Sequence, residues 1–287
     1  MTFVDRACTF ECAGDELVAI ASVPEEPWER GVVVVVGGPQ YRVGSHRQFT
    51  LLARRLAAHG VATLRFDYRG MGDSSGEPRT FEAVEADIRA AVDELQRQCP
   101  AVSEVVLWGL CDAASASMMY AASDRRIRGL VLLNPWARTV ASLARTHLKH
   151  YYTGRLVQLD FWKKVASGEF GLRTALTDLV RSVKLTRAPR ERPDSAPFQT
   201  LMARGLKAFG GRSLLLLAGE DLTAKEFLDH IALDPEWRCV LDDGRVTRLD
   251  LQGCDHTFST AVCRRKVEDA TLEWLASWPH DANDGAG

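Results

Sequence analysis

The sequence predicts an α/β fold: a mostly parallel sheet with helices on both faces and an inserted helical cap. Three observations predict it. Short apolar runs alternate with amphipathic stretches up to Trp136 and again from Arg212 to Trp278, the order that builds a parallel sheet through crossover helices. The run Val105-Val106-Leu107 passes through Gly109-Leu110-Cys111-Asp112-Ala113 directly into a stretch of small residues with Met118 and Met119, which reads as strand, sharp turn and helix. From Ala137 to Phe209 the alternation stops, and helix-like segments follow one another without a clear strand. The expected division is a first core part over 1–136, a cap insertion over 137–209 and a second core part over 210–280.

Composition narrows the class. The chain has 287 residues, 46% of them hydrophobic and 26% charged, values of an ordinary globular protein with one core and an insertion. A net charge of −2 argues against a general nucleic-acid binder. The cysteine count is seven, with no C-x-x-C, which suggests neither a disulfide framework nor a zinc knuckle and favours a reducing, cytoplasmic setting. The N-terminal stretch carries acidic residues and no long apolar core, so no secretory signal is expected. The valines from Val32 to Val36 are too few to cross a bilayer, so no stable membrane insertion is expected.

Taken in order, residues 2–36 read as three strands, the first two an antiparallel hairpin at the sheet edge and the third, the valine run, buried on both faces. A loop from Gly37 to His46 follows, where glycines let backbone amides face a ligand. Phe49, Leu52 and Leu56 mark a helix, and 61–66 the next strand. The glycine-rich turn from Asp67 to Gly76 lacks the G-x-x-x-x-G-K-[ST] order of a phosphate loop. Phe81, Val84, Ile88, Ala91 and Leu95 predict one amphipathic helix over 81–98. After the strand–turn–helix junction comes an apolar strand from Ile127. The core resumes with the leucine run after Arg212, a last strand over Val246–Leu251 and a helix over 261–278.

Chemistry gathers where strands end. Gly109 to Ala113 follows the nucleophile-elbow pattern G-x-S-x-G with cysteine in the serine place and alanine in the last glycine place. A cysteine there sits at a helix N-terminus, which favours the thiolate. Nucleophilic acyl chemistry also needs a histidine base, a carboxylate that sets its tautomer, and amides for the oxyanion. Asp221 and His256 each follow a predicted strand, in that order after Cys111, with Glu220 a competing acid. The candidate oxyanion amides are those of Asp112 and Gly38, with Gln40 behind it; Pro39 has no N–H. His147 and His150 have the look of a metal pair without further ligands, and neither a metal nor another cofactor is expected.

The segments GGPQYRVGSHRQF, LRFDYRGMGDSSGEP, WGLCDAASA, LAGEDLTAKEF and CDHTFS resemble the α/β-hydrolase superfamily. Within it, GGPQYR and GLCDAAS are similar to the exosortase A system-associated hydrolases of the cysteine-elbow type. The resemblance covers roughly residues 30–275. It implies an α/β-hydrolase sheet, a bacterial cytoplasmic protein and a Cys111–Asp221–His256 triad. Two departures stand out: cysteine replaces serine, and a Gly-Gly-Pro loop replaces the commoner His-Gly loop.

The function expected is a cysteine-dependent acyl hydrolase or acyltransferase, working on an ester or thioester of a small-molecule or carrier-bound acyl group. The alternatives are a dienelactone-type lactone hydrolase and a noncatalytic binding protein of the same fold. Between Arg138 and Arg192 there are 12 Lys and Arg against 4 Asp and Glu, a balance that favours an anionic donor, with Arg187 and Arg190 the expected contacts.

Overall fold

The computed structural model describes residues 1–38, 40–138, 196–241 and 244–278. Eight strands form one sheet in the order β1-β2-β4-β3-β5-β6-β7-β8. Strands β1 (Phe3–Cys12) and β2 (Asp15–Pro24) form the expected edge hairpin, and β2 runs antiparallel to β4 (Thr63–Phe66). The remaining strands, β3 (Arg30–Val35), β5 (Glu104–Leu110), β6 (Ile127–Leu133), β7 (Arg212–Ala218) and β8 (Val246–Leu251), join β4 in a parallel set. Strand β5 lies between β3 and β6, and its apolar run is buried on both faces because helices cover both.

Two apolar layers flank the sheet. One face packs Val32, Val34, Trp108 and Leu216 against Phe49 and Leu52 of α1 (Gln48–Ala58) and against Val267 and Trp274 of α7 (Ala261–Ala276). The other packs Val33, Leu107 and Leu215 against α2 (Glu85–Gln98), α3 (Asp112–Tyr120), α4 (Phe198–Ala208) and α5 (Leu222–Leu233). A short helix α6 (Pro235–Leu241) follows α5, its buried Trp237 edge-on to Phe227 at 5.4 Å.

The structure departs from the expected elements in three places. The helix expected over 81–98 begins at Glu85: Val84 leaves the helical region at φ −106°, and Phe81 turns edge-on to Phe198 at 5.2 Å. Helices α5 and α6 occupy a stretch that the periodicity left unassigned. A disulfide joins Cys254 to Cys263, with Cα atoms 5.6 Å apart, although no framework was expected. The loop after β8 folds back on the first turn of α7, so cysteines without a familiar spacing meet.

Glycine turns hold the loops around the carboxyl ends of the strands. Asp67, fully buried, accepts the amides of Arg42 and Asp73 at 2.6 and 3.1 Å and pairs with the Arg42 guanidinium. Gly72, at φ +53°, lets the turn close over that carboxylate. The glycine-rich stretch after β4 thus turns a backbone amide onto its own buried acid.

Gly205 of α4 is where that helix meets α3: a Cβ there would lie 2.2 Å from the Met118 carbonyl oxygen. Helix propensity favours Gly205→Ala by about 1 kcal/mol, but the carbonyl cannot yield without moving one helix. We expect a net loss of about 1–3 kcal/mol, read as a lower urea midpoint at an unchanged slope. A midpoint equal to or above that of the parent would contradict this packing.

Candidate active site

Cys111 stands between β5 and α3 at φ 62°, ψ −124°, a conformation that L residues hold only when the surroundings enforce it. Every neighbour contributes. Its N–H donates to Leu133 O at 2.9 Å, while its carbonyl accepts the amides of Ala114, Ser115 and Trp136 at 3.1, 3.3 and 3.2 Å. The turn is tight enough that a Cβ at Gly109 would lie 2.7 Å from backbone atoms of Ala113 and Ala114. The small residues at either side of the cysteine therefore have a steric cause.

Asp221 and His256 meet at the ends of β7 and β8. His256 Nδ1 lies 2.8 Å from Asp221 Oδ2. Asp221 is also the N-cap of α5, accepting Thr223 N–H at 3.0 Å and Ala224 N–H at 3.2 Å. Capping and histidine pairing are thus carried by one carboxylate. Glu220, the competing acid, is exposed, and its amide donates to Cys254 O at 3.0 Å.

Both neighbours act on the titration of His256. His256 is pushed from its ordinary 6.5 up to about 10, first by its hydrogen bond to Asp221 and next by one to Cys111, against the opposing effect of burial. An imidazole between an acid and a thiol can accept the thiol proton on one side while the acid holds the other. Burial raises Cys8 to about 12 and also pushes up Cys12 and Cys99.

The candidate oxyanion amides are arranged unequally. Gln40 N–H turns back to Gly37 O at 3.4 Å. Gly38 N–H faces the elbow, where it donates to Asp112 Oδ2 at 2.9 Å. Burial pushes the Asp112 carboxyl up, against the amides of Gly38, Ala113 and Asp112 itself and the charge of His256.

Several residues that the sequence reading did not single out complete the site. Asn134, buried at φ 42°, donates from Nδ2 to His256 O at 3.1 Å and accepts Ala218 N–H at 2.8 Å, tying the His256 loop to the ends of β6 and β7. Arg138 pairs with buried Glu226 of α5 at 2.8 Å and lies 4.5 Å over the Trp136 ring. An asparagine just beyond a strand end is the sequence signal that could have pointed to Asn134; Glu226 carries none beyond its place on a helix. Arg187, Arg190, His147 and His150 lie outside the described residues. Among the described residues no group of three or more His, Cys, Asp or Glu could hold a metal ion, and no helix is long and apolar enough to cross a membrane.

Comparison with known proteins adds the following. A family model described as "Alpha/beta hydrolase family" matches residues 32–270. The esterase Pf2001 of Pyrococcus furiosus superposes with a TM-score of 0.67 at 16% identity, over 96% of this chain and 92% of that one. Est1E of Butyrivibrio proteoclasticus, solved with ferulic acid bound, superposes with a TM-score of 0.60 at 18% identity, over 94% and 100%. At these identities the likeness is one of fold. The polyketide transferase grgF of a Penicillium species is 28% identical over 115 residues, 37% of each chain. The quorum-quenching protein AidA of Acinetobacter baumannii is 33% identical over 95 residues, 31% of each. The chain thus spans about a third of the length of these curated relatives.

The raised value of His256 sets a pH window. A histidine whose native value exceeds its unfolded value contributes stability that is complete below the unfolded value and lost as pH rises through the native one. Asp221→Asn removes the first cause of that shift, so the parent's stability advantage over this variant should narrow from 6.5 to about 10. Helix capping contributes little to that advantage, because asparagine caps about as well as aspartate. Urea unfolding on both sides of the window checks this; an advantage that grows with pH contradicts it.

Proposed function

The chain belongs to the alpha/beta hydrolase family, and on that premise we propose that it is a cysteine-dependent acyl hydrolase or acyltransferase acting on an ester or thioester. The observation that carries the reading is the Asp221–His256 hydrogen bond at the same strand ends as a cysteine held at a strained strand–helix turn. His256 takes the Cys111 Sγ proton and the sulfur attacks the acyl carbon. The carbonyl electron pair moves to oxygen, which the amides of Asp112 and Gly38 receive. Collapse of the tetrahedral species expels the alcohol or thiol, which takes the proton from His256. A thioester on Cys111 remains. Water or another acceptor, deprotonated by His256, then attacks that thioester; the acyl product leaves and Cys111 recovers its proton. Asp221 holds the imidazole tautomer throughout.

Two features support a transfer or thioester role beside simple ester hydrolysis. A thiolate is both a good nucleophile and a good leaving group, so its acyl-enzyme stays open to acceptors other than water. The printed name of one relative, a polyketide transferase, fits that direction. The basic balance between Arg138 and Arg192 favours an anionic donor such as a coenzyme A or carrier-protein thioester, with Arg187 and Arg190 as its contacts.

Mutational kinetics test the machinery. Asp221→Asn should lower kcat/KM on the order of 10³–10⁴-fold with the fold retained, whereas Glu220→Gln should change it little. The reverse ranking would move the acid by one residue. Iodoacetamide should alkylate Cys111 ahead of Cys8, Cys12 and Cys99, whose thiols burial holds protonated. Preferential alkylation of Cys8 would count against the site.

The donor class has its own test. The ratio of kcat/KM for a coenzyme A thioester over a neutral thioester of the same acyl group should exceed unity, fall with added salt, and drop in the Arg187→Ala, Arg190→Ala double variant. Equal rates without salt dependence would exclude an anionic donor.

A further inference from the structure

Of the two amides that would receive an oxyanion, that of Gly38 is already engaged. Gly38 N–H binds the Asp112 carboxylate at 2.9 Å, and the amides of Ala113 and Asp112 itself act on the same group. Gly37 gives a second, independent sign that the chain makes room for it. Gly37 is not among the glycines at positive φ, so backbone freedom does not require it. A Cβ there, however, would lie 2.0 Å from Asp112 Oδ1 and 2.9 Å from Ala113 N. The hollow is cut to a carboxylate.

Its hold on that carboxylate is partial. Asp112 Oδ1 is buried with no hydrogen-bond partner, and an acceptor desolvated without a donor opposes its own burial. The residue as a whole is half-buried.

We propose that Asp112 is an autoinhibitory residue: its carboxylate occupies the oxyanion hollow of the free enzyme and must be displaced before an acyl donor reacts. A small ester offers a neutral carbonyl oxygen, which competes poorly with a carboxylate for the same amides. Displacement must therefore be driven by contacts remote from the reacting carbon. This inference rests on Cys111 being the acyl-accepting nucleophile.

The test compares the parent with Asp112→Ala and Asp112→Asn. With p-nitrophenyl acetate and with an acyl coenzyme A thioester alike, Asp112→Ala should raise kcat/KM by about tenfold or more, because displacement is a cost of the free enzyme that both donors share. Asp112→Asn, equal in size but neutral, should fall between and serves if the alanine variant does not fold. Binding gives a readout independent of turnover: acetate should shift the Gly38 and Ala113 amide resonances saturably in Asp112→Ala and leave them unmoved in the parent. An unchanged or lower kcat/KM for both donors, or acetate shifts as large in the parent as in the variant, would overturn the proposal. Acetate shifts confined to the variant, without acylation of Cys111 by either donor in any form, would sink the nucleophile reading and leave the resident carboxylate standing.

Discussion

Much of this molecule depends on one backbone conformation, that of Cys111 at φ 62°, ψ −124°. Such a conformation costs about 1–3 kcal/mol and exists only because β5 is fixed between β3 and β6 while α3 packs back across the strand end. The cost is offset by hydrogen bonds that no extended residue at this point would make. One cysteine carbonyl gathers the amides of Ala114, Ser115 and Trp136, which starts α3 and directs the chain leaving β6. The elbow therefore places the thiol and also sets where the segment beyond Arg138 departs.

A second economy lies in Asp221. A carboxylate with cap donors on its oxygens is already desolvated and oriented before it meets His256, so the cost of fixing it is shared with the formation of α5. Asn134 does the same for the histidine loop, satisfying β7 with one side-chain atom and the His256 carbonyl with another. Both residues sit at strand ends in the parallel part of the sheet, where the topology brings loops of distant sequence together. The candidate site is preorganised by groups whose other partners are structural. Arg138 and Glu226 extend this network toward the segment that follows β6.

The strands were legible because each buried one is a short apolar run, and burial on both faces leaves no polar residue to blur it. Cys111, Asp221 and His256 were legible as strand-end residues in a meaningful order, although proximity itself belongs to tertiary structure. The start of α2 was misread because Phe81 and Val84 fit a helical stripe, while the edge-on contact of Phe81 with Phe198 lies 117 positions away in a part of the chain that periodicity cannot see. The Cys254–Cys263 disulfide was invisible for a similar reason, since it depends on how the His256 loop folds onto α7. Asp112 is the most instructive residue. The sequence marks its amide as an oxyanion donor and says nothing of its carboxylate, whose position follows from a glycine 75 residues earlier.

The central claim, that Cys111 carries the acyl group between donor and acceptor, is most directly tested by rapid-quench intact-protein mass spectrometry with a panel of activated acyl donors. The account predicts one acyl group per chain, mapped to Cys111 by peptide analysis, formed and consumed at rates compatible with turnover, and absent from Cys111→Ala. Turnover that persists in Cys111→Ala, or an acyl group found on a different side chain, would contradict it.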